Sequence, residues 1–346
     1  MDKQPFISII IPIYNGSRYI NQCLDALLSS SYPYFEIIVV DDGSTDCSAD
    51  IVQKKGVSLV KITRNSTQFV ARNLGAQKAR GDIFLFVDCD VTFQRQTLAR
   101  VADNFMKDAS LGALFGSYDD EPLENNFCSQ YKNLCHHFVH QNASHEAATF
   151  WSGCGAIRRD IFREVGGFDT TKYLQGVRDI ELGYRLKARQ HKILLDKELK
   201  VKHLKRWRFF SLVYDDIFYK AIPWSDLILK NRCIINDLNL KLSDRISAGL
   251  VGVSIVLLPF TLSNPPLVYL VFFFLASVFI LKYKLYRFFI SKRGLKFTIL
   301  AFPMHLLYYF YSGITFMICC CKHVGTKMCL KVKREGQFTK NNGQER

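Results

Sequence analysis

The chain has 346 residues, enough for one or two domains, and a formal net charge of +15. From Ile246 onward it carries 13 Lys and Arg against two acids, so residues 1–245 hold only +4. Because most of the positive charge lies in an apolar C-terminal part, the composition does not indicate nucleic-acid binding.

Short β-branched runs alternate with amphipathic stretches in the first third of the chain. The predicted strands are Phe6–Ile13, Glu36–Val40, Val57–Thr63, Asp82–Val87 and Leu111–Ser117. The predicted helices are Tyr19–Leu28, Thr45–Lys54 and Gln68–Ala79, the second one begun by the capping residues Ser44, Thr45 and Asp46. This alternation predicts an α/β fold with a mainly parallel sheet covered on both faces, where ligands bind at the carboxyl ends of the strands.

Residues 118–150 are polar and irregular and contain the His-rich run CHHFVHQNASH. His136 and His140 are four residues apart, so they can share a helix face as metal ligands do. No matching Cys or carboxylate pattern accompanies them. We therefore favour a helix that lines an acceptor groove over a metal site.

Three apolar stretches follow, Ile246–Leu262, Leu267–Leu281 and Phe297–Cys321. The first two contain no charged residue and are separated by a Ser-Asn-Pro-Pro turn. Each is short for a membrane span of about 20 residues, but together they predict a membrane hairpin rather than a helical pair buried in a soluble domain.

Six basic residues in Lys282–Lys296 predict a cytoplasmic side for that segment. The hairpin then leaves residues 1–245 in the cytoplasm, as the catalytic part of a multi-pass membrane protein. The stretch Phe297–Cys321 either spans the membrane or lies in its interface, bent at Pro303.

Two predicted strands end in paired acids. The run IFLFVDCD leads into Asp88 and Asp90, and VVDDGSTD leads into Asp41 and Asp42. Acids also mark the exit of a strand into a loop, but both pairs lie at predicted carboxyl ends. Because an unpaired buried charge is costly, this coincidence favours a site that binds a cation or N–H and O–H donors.

Several motifs occur together in the order PIYN, VVDDGSTD, ARNLGAQKARGD and FVDCD. With SGCGAIRRDIFREVGGFD and RDIELGYRLKARQHKI further on, the sequence resembles the family 2 glycosyltransferases with a GT-A fold, over about residues 5–210. The resemblance implies a Rossmann-like, mainly parallel sheet with helices on both faces, followed here by C-terminal membrane helices. It also implies an inverting enzyme that moves a sugar from a nucleotide-sugar, with UDP-sugars favoured, to a hydroxyl acceptor.

The resemblance implies a divalent cation, Mg²⁺ or Mn²⁺, at the D-x-D pair. Asp90 would be the firmer metal contact, and Asp88 would help to hold the ribose and the metal's waters. A hard cation bound by one or two carboxylates and by phosphate oxygens suits such a short acidic motif. The residues expected to line the nucleotide pocket are Pro12, Tyr14, Asp42 and Arg72.

The family's usual Glu-Asp pair before a helix corresponds here to Arg178-Asp179. We assign Asp179 as the general base, because it keeps the matching position. Arg178, if it points inward, favours the ionised form of Asp179 and weakens it as a base. If it points outward, it can hold a phosphate of the acceptor.

The run VKHLKRWRFF contains His203-x-x-Arg206-Trp207, which looks like a variant of the Gln-x-x-Arg-Trp motif of membrane-bound processive members. Three roles are open for His203: it replaces that Gln, it is a metal ligand, or it is a histidine of the core. Arg206 would meet the diphosphate, and Trp207 would stack under an acceptor sugar or lipid. The change to His and the small membrane part favour the transfer of one sugar over polymer synthesis.

These patterns predict a catalytic domain over 1–208, an interfacial linker over 209–245, a membrane region over 246–321 and a basic tail over 322–346. The expected partners are a nucleotide-sugar, a lipid or lipid-linked acceptor and the membrane, without nucleic acid. A polyprenyl-phosphate glycosyltransferase is the nearest alternative. More distant alternatives are a nucleotidyltransferase, which would need a glycine-rich basic loop, and a non-catalytic nucleotide-sugar-binding scaffold.

Overall fold

The computed structural model of the chain describes residues 4–63, 66–172, 176–231 and 238–341, with side chains described up to residue 325. Part of the predicted linker, 232–237, and the end of the predicted basic tail, 342–346, lie outside the described residues. The division into four segments stays a prediction.

One sheet of eight strands organises the N-terminal part, in the order β3-β2-β1-β4-β7-β6-β8-β5. The strands are β1 (Ile7–Ile13), β2 (Phe35–Asp41), β3 (Ser58–Lys61), β4 (Ile83–Val87), β5 (Val91–Thr92), β6 (Leu111–Tyr118), β7 (Cys154–Arg158) and β8 (Lys192–His203). Neighbouring strands among the first four, and the pair β6–β8, are parallel, whereas β7 runs antiparallel to both β4 and β6. The predicted mainly parallel sheet is confirmed, with antiparallel pairings added at β5 and β7.

Helices of the N-terminal part cover both faces of the sheet. They are α1 (Ser17–Leu28), α2 (Ser48–Lys54), α3 (Gln68–Lys78), α4 (Thr97–Lys107), α5 (Phe127–Gln141), α6 (Arg159–Glu164) and α7 (Arg178–Ala188). Side chains of successive strand residues point to opposite faces. Ile9 and Ile11 therefore belong to one buried cluster and Ile10 to the other, which explains the unbroken apolar run of β1.

Two predictions about local structure are wrong. Helix α2 begins at Ser48 and not at Thr45, because Asp46 accepts hydrogen bonds from the backbone N–H groups of Ser48 (3.0 Å) and Ser17 (3.1 Å) and so lies in a turn. The region 118–150 is not irregular throughout, since it contains the 15-residue helix α5, which agrees with the helix favoured for the His-rich run. The other predicted strands and helices before residue 118 agree with the structure to within two residues.

The C-terminal part is helical. It consists of α8 (Phe209–Asp215), a π-helical segment (Asp216–Ala221), α9 (Ile222–Asn231), α10 (Leu242–Leu257), α11 (Leu267–Leu281) and α12 (Tyr283–Asn341). Helices α10 and α11 pack against each other, as the hairpin prediction requires. Within α12 the non-helical residue is Gly294, with φ of 79°, and not the predicted Pro303.

Two helical stretches are long and apolar enough to cross a membrane, by length and composition alone. They are Leu242–Leu262 and Tyr283–Gly325, and α11 is a shorter apolar helix. The beginning of α12 is packed on the catalytic side, where Arg293 donates to Gln130 Oε1 at 2.6 Å and to the Asp120 carbonyl at 2.8 Å. This packing holds the apolar helices against α5.

Helix α7 is held by a buried ion pair. Arg185 donates to both carboxylate oxygens of Glu181, at 2.7 and 2.8 Å, and to the carbonyls of Val165 and Gly167. Only 6% of the Glu181 side chain is exposed. The network therefore joins α7 to the turn that follows α6.

Replacing Glu181 by Gln is expected to lower the free energy of unfolding by about 2 kcal/mol, since it leaves a partly buried guanidinium without its counter-charge. Thermal melting in detergent measures the change. Glu164→Gln is the control. The Glu164 side chain is 51% exposed, and its Oε1 lies 3.9 Å from Arg189 Nε, so the ion pair is weak. An equal loss in both variants would contradict the role given to this pair.

Candidate active site

The D-x-D acids follow β4 at the edge where β1 and β2 also end. In the parallel register Ile13 lies opposite Asp41, and the Asp42 N–H donates to the Ile13 carbonyl at 2.8 Å. The carboxyl ends of three neighbouring strands thus bring the two acid pairs to one edge, as the sequence predicts. This is the edge where parallel sheets bind ligands.

Arg72 of α3 contacts the first acid of the pair. Its Nη2 donates to Asp88 Oδ1 at 2.5 Å, and its side chain is 1% exposed. The Nε and Nη1 atoms of Arg72 are buried and have no partner among the described residues. Such donors suit a phosphate group of a ligand.

Three carboxylates lie close enough to influence one another. Burial, opposed in part by Arg72 and reinforced by Asp90 and Asp179, raises the pKa of Asp88 to about 6. Like charges in one site disfavour simultaneous ionisation. Three neighbouring carboxylates in one site therefore favour the binding of a cation.

The second acid, Asp90, faces His203. Asp90 Oδ2 is 3.7 Å from His203 Nε2, and the His203 ring stacks on Tyr118 with centroids 4.3 Å apart. Pairing of β5 with β8 sets Val91 opposite His203, which explains why residues so distant in sequence meet. Burial would raise the pKa of Asp90, but His203 and Lys205 outweigh it and hold the pKa below its ordinary value.

The residues present fit a cation that takes most of its ligands from outside the protein. No group of three or more His, Cys, Asp or Glu that could hold a metal occurs in the part of the chain that the structure describes. Mg²⁺ and Mn²⁺ bind through one or two carboxylates when waters and substrate phosphates complete the shell. Since Arg72 engages Asp88, Asp90 is the carboxylate best placed for such a cation.

The predicted nucleotide pocket lies at the same edge. Pro12 is buried, whereas Tyr14 directly after β1 is 47% exposed and free to meet a planar base. Asp42 is 2% exposed and accepts hydrogen bonds from the N–H (2.9 Å) and hydroxyl (2.6 Å) of Ser66. The structure therefore brings these residues together, and their contacts with a nucleotide stay a prediction.

Asp179 occupies the first turn of α7. Its Oδ2 accepts from the Ser152 N–H at 3.2 Å and from the Ser152 hydroxyl at 3.0 Å, and its Oδ1 accepts from the Ile180 N–H at 2.9 Å. Burial raises the pKa of Asp179, although Ser152 and Arg72 oppose the shift. A raised pKa makes a carboxylate a stronger base.

Replacing Ser152 by Ala is expected to move the acid limb of the pH profile of kcat/KM upward by about one pH unit. The Ser152 hydroxyl stabilises the ionised Asp179, so its loss raises the pKa of that carboxyl further. The profile is measured with saturating metal at each pH. A limb that stays in place would contradict the assignment of that limb to Asp179.

Arg178 points inward but not at Asp179. Its guanidinium donates to the Thr67 hydroxyl at 3.3 Å and lies 5.9 Å from the Phe69 ring centroid. The nearby positive charge that acts on the pKa of Asp179 is Arg72. With 6% of Arg178 exposed, the structure does not support the outward orientation in which it would hold an acceptor phosphate.

The His-rich helix faces an aromatic group. His136 lies 4.6 Å from Tyr118, 4.1 Å from His140 and 5.0 Å from Trp151, all between ring centroids. His140 Nδ1 is 3.1 Å from the Gly116 carbonyl oxygen. The two histidines thus share a face, as predicted, and pack as aromatic side chains beside His203.

Arg206 and Trp207 are placed differently from the prediction. Arg206 is half-exposed, with Nε 3.7 Å from Glu124 Oε2, an acid that also binds Arg18. Trp207 is 6% exposed and packs with Tyr131 and residues of α12, so its ring is not open for stacking. The diphosphate role of Arg206 and the acceptor role of Trp207 stay predictions.

Ser152, Tyr118 and Glu124 were not singled out from the sequence. Ser152 begins a quoted motif, but nothing in the spacing of that motif indicates a hydrogen bond to Asp179. Tyr118 ends β6 and reaches His203 only because β6 and β8 are neighbours. These residues are found from tertiary contacts alone.

The acid pair after β4, with Asp88 bonded to Arg72 of α3, and Asp179 at the start of α7 lie at the positions that the resemblance to the glycosyltransferases gave them. Residues 8–166 match the model of the family described as Glycosyl transferase family 2. The match covers a little under half of the chain, which is similar to this family over those residues and has a GT-A fold.

Two relatives show how much of the chain is shared. An uncharacterized glycosyltransferase of Haemophilus influenzae is 39% identical over 36% of this chain and 51% of its own length. The putative teichuronic acid biosynthesis glycosyltransferase TuaG of Bacillus subtilis is 33% identical over 35% of this chain and 52% of its own. The chain thus spans about half the length of the curated relatives it matches.

A solved structure resembles the chain over most of its length. The mannosyltransferase PcManGT from Pyrobaculum calidifontis, in complex with GDP-Man and Mn²⁺, has a TM-score of 0.55 over 93% of this chain and 88% of its own. At 16% sequence identity this likeness establishes the fold alone.

Proposed function

We propose that the protein is a metal-dependent, inverting glycosyltransferase that moves a sugar from a nucleotide-sugar to a hydroxyl of a lipid or lipid-linked acceptor. The observation that carries the proposal is that Asp88, which Arg72 binds, lies close enough to Asp90 and Asp179 for their charges to act on it. Within the family, this arrangement joins donor binding and base catalysis in one cleft.

The donor would bind across the carboxyl ends of the strands. Tyr14 and Asp42 would hold the nucleoside, and the unpartnered Nε and Nη1 donors of Arg72 would meet a diphosphate oxygen. A cation at Asp90, Mg²⁺ or Mn²⁺, would offset the charge that develops on the leaving nucleoside diphosphate. That Mn²⁺ accompanies GDP-Man in the Pyrobaculum mannosyltransferase supports a nucleotide-sugar with a metal, and UDP-sugars remain the favoured donors here.

Asp179 would act on the acceptor. It takes the proton of the acceptor hydroxyl while that oxygen forms a bond to the anomeric carbon of the donor. The bond from this carbon to the diphosphate oxygen breaks on the opposite face, which inverts the configuration. Ser152 keeps the carboxylate oriented, and burial keeps it basic.

The apolar helices would anchor this cleft to a membrane. Only 17% of the most apolar 18-residue stretch of Leu242–Leu262 is buried. Large apolar side chains are exposed to a high fraction of their surface, among them Leu262 (88% exposed), Tyr269 (76%) and Ile280 (71%). A continuous apolar surface of this kind suits lipid contact. With Lys282–Lys296 on the cytoplasmic side, the protein is multi-pass and its catalytic domain cytoplasmic.

Nucleotide release tests the proposal. The purified, detergent-solubilised protein is mixed with UDP-, GDP- and dTDP-sugars, each with Mn²⁺, Mg²⁺ or EDTA and with or without bacterial lipid extract. Metal-dependent release of one nucleotide, increased by lipid, is expected. Nucleotide-sugar binding without release under any condition would overturn the proposal in favour of a scaffold.

A further inference from the structure

A basic cluster lies beside Trp207, and the proposed donor binding and base catalysis leave its lysines without a ligand. Lys205, directly after β8, and Lys220 of the π-helical segment have Nζ atoms 4.1 and 5.9 Å from the Trp207 ring centroid. The Trp207 indole N–H is buried and has no acceptor in the described ranges. Two ammonium groups and an unused N–H around one ring are the donors that an anionic oxygen requires.

The π-helical segment holds Lys220 in place. Asp216 is 3% exposed, binds Lys132 of α5 and accepts a hydrogen bond from the Tyr311 hydroxyl at 2.7 Å. Lys220 itself is 3.0 Å from Asp215. A π-helical turn is rare and often marks a functional position, and this one is fixed from α5 and α12.

The charges of this cluster do not cancel. Three ammonium groups, from Lys132, Lys205 and Lys220, stand against two carboxylates, Asp215 and Asp216. Over the described residues, Lys205 has no carboxylate within ion-pair distance, although its charge acts on Asp90 from farther away. The Lys205 ammonium therefore keeps its donors available for a ligand.

The cluster adjoins both the catalytic base and the apolar helices. Gly176, just before α7, has φ of 96°, and a Cβ there would lie 1.8 Å from the Tyr219 carbonyl oxygen, so the loop before Asp179 touches the π-helical segment. Trp207 packs in one cluster with Tyr286 and Phe289 of α12. A ligand bound here would reach the base with its polar end and α12 with an apolar chain.

We propose that Lys205, Lys220 and the Trp207 N–H bind the phosphate or diphosphate group of a polyprenyl-type lipid acceptor. That this lipid is the acceptor rests on the proposed function. In a lipid monophosphate, which is the alternative to the hydroxyl acceptor, a phosphate oxygen would form the bond to the anomeric carbon while the bond from this carbon to the nucleoside diphosphate breaks, and no proton would need removal. In a diphosphate-linked sugar, the attacking group is a sugar hydroxyl whose proton goes to Asp179. Both lipids carry a phosphate group that the two lysines and the indole N–H would bind.

Binding of the full chain to phosphatidylcholine vesicles tests the site. The vesicles carry polyprenyl phosphate, a polyprenyl-diphosphate-linked sugar or, for comparison, phosphatidylglycerol. Lys205→Gln and Lys220→Gln are each expected to weaken binding to polyprenyl phosphate or diphosphate by about tenfold. Lys230→Gln is the matched control, since Lys230 follows in the same linker and is 44% exposed against 43% for Lys220.

A further variant separates the ligand contact from folding. Trp207→Phe removes the indole N–H and keeps an aromatic ring, but the smaller ring also reduces packing in this buried cluster. Weaker polyprenyl-phosphate binding with an unchanged melting temperature therefore supports the site. Lys220→Arg, which keeps the charge, should restore most of the affinity. Unchanged binding in both Lys→Gln variants, or an equal loss towards phosphatidylglycerol, would overturn the proposal.

The Lys220→Gln variant is tested for binding of the nucleotide-sugar with Mn²⁺, whereas Lys205→Gln is left out because the Lys205 charge also acts on Asp90. Loss of lipid binding with donor binding intact is the expected result for Lys220→Gln. A wild-type protein that binds the polyprenyl phosphate through the lysines but no nucleotide-sugar would overturn the proposed function and leave the site standing.

Discussion

Replacing Asp90 by Asn is expected to lower metal-dependent nucleotide release by at least about a hundredfold. The change removes the negative charge best placed to hold a cation, while the amide keeps nearly the same volume. Asp90 faces His203 at 3.7 Å, whereas Asp88 is engaged by Arg72, so Asp88 cannot simply take its place. The rate is measured over a series of Mn²⁺ concentrations.

Asp82→Asn provides the control for this variant. Asp82 lies just before the same strand at its opposite end, is 52% exposed and is 3.4 Å from Arg159. Its loss should leave the rate within about twofold, as for surface ion pairs in general. Metal binding to wild type and Asp90→Asn is followed by the electron paramagnetic resonance of Mn²⁺. Equal affinity in the two proteins would contradict the metal assignment.

Replacing Asp179 by Asn is expected to lower kcat by about 10²–10⁴-fold with little change in the affinity for the nucleotide-sugar. Asparagine keeps nearly the same volume, but its single carbonyl oxygen can accept from Ser152 or from the Ile180 N–H and not from both, and its amide cannot take the acceptor's proton. Because burial raises the pKa of Asp179, wild-type kcat/KM should fall with decreasing pH at a higher pH than an ordinary carboxylate would give.

Near-normal turnover of Asp179→Asn would contradict a hydroxyl acceptor. It would favour the polyprenyl-phosphate alternative, since a phosphate oxygen is already ionised when it attacks. Glu181→Asn is the comparison that separates loss of the base from loss of stability. Glu181 lies on the same helix, and its replacement lowers stability without removing the base. A fall in kcat that follows the melting temperature in both variants would indicate a structural effect only.

The sheet and its principal site were predictable because their signals are local. The runs that form β1, β2 and β4 are continuous and apolar, and the acids that follow them can only lie at carboxyl ends. The family resemblance then assigned roles to Asp88, Asp90 and Asp179. The bounds of these strands agree with the prediction to within one residue.

The predictions that failed concern local structure that depends on contacts with residues far away in the sequence. The start of α2 depends on hydrogen bonds from Ser17 and Ser48 to Asp46, and propensity alone favoured an earlier start. Helix α5 has a polar sequence, and its buried positions depend on packing against β6 as well as α12. The break in α12 occurs at Gly294, whose φ of 79° is readily adopted only by glycine, whereas Pro303, where one alternative placed a bend, lies inside the helix.

By itself the sequence determined the α/β class, the acids at the ends of β2 and β4 and the apolar C-terminal helices, because strand periodicity, charge and hydropathy are properties of short segments. Tertiary structure alone decided that Ser152 supports Asp179, that Arg178 turns towards Thr67, and that Lys205 and Lys220 meet at Trp207. Side-chain orientation and burial depend on which elements pack together, and contacts between residues far apart in the chain leave no periodic trace in the sequence.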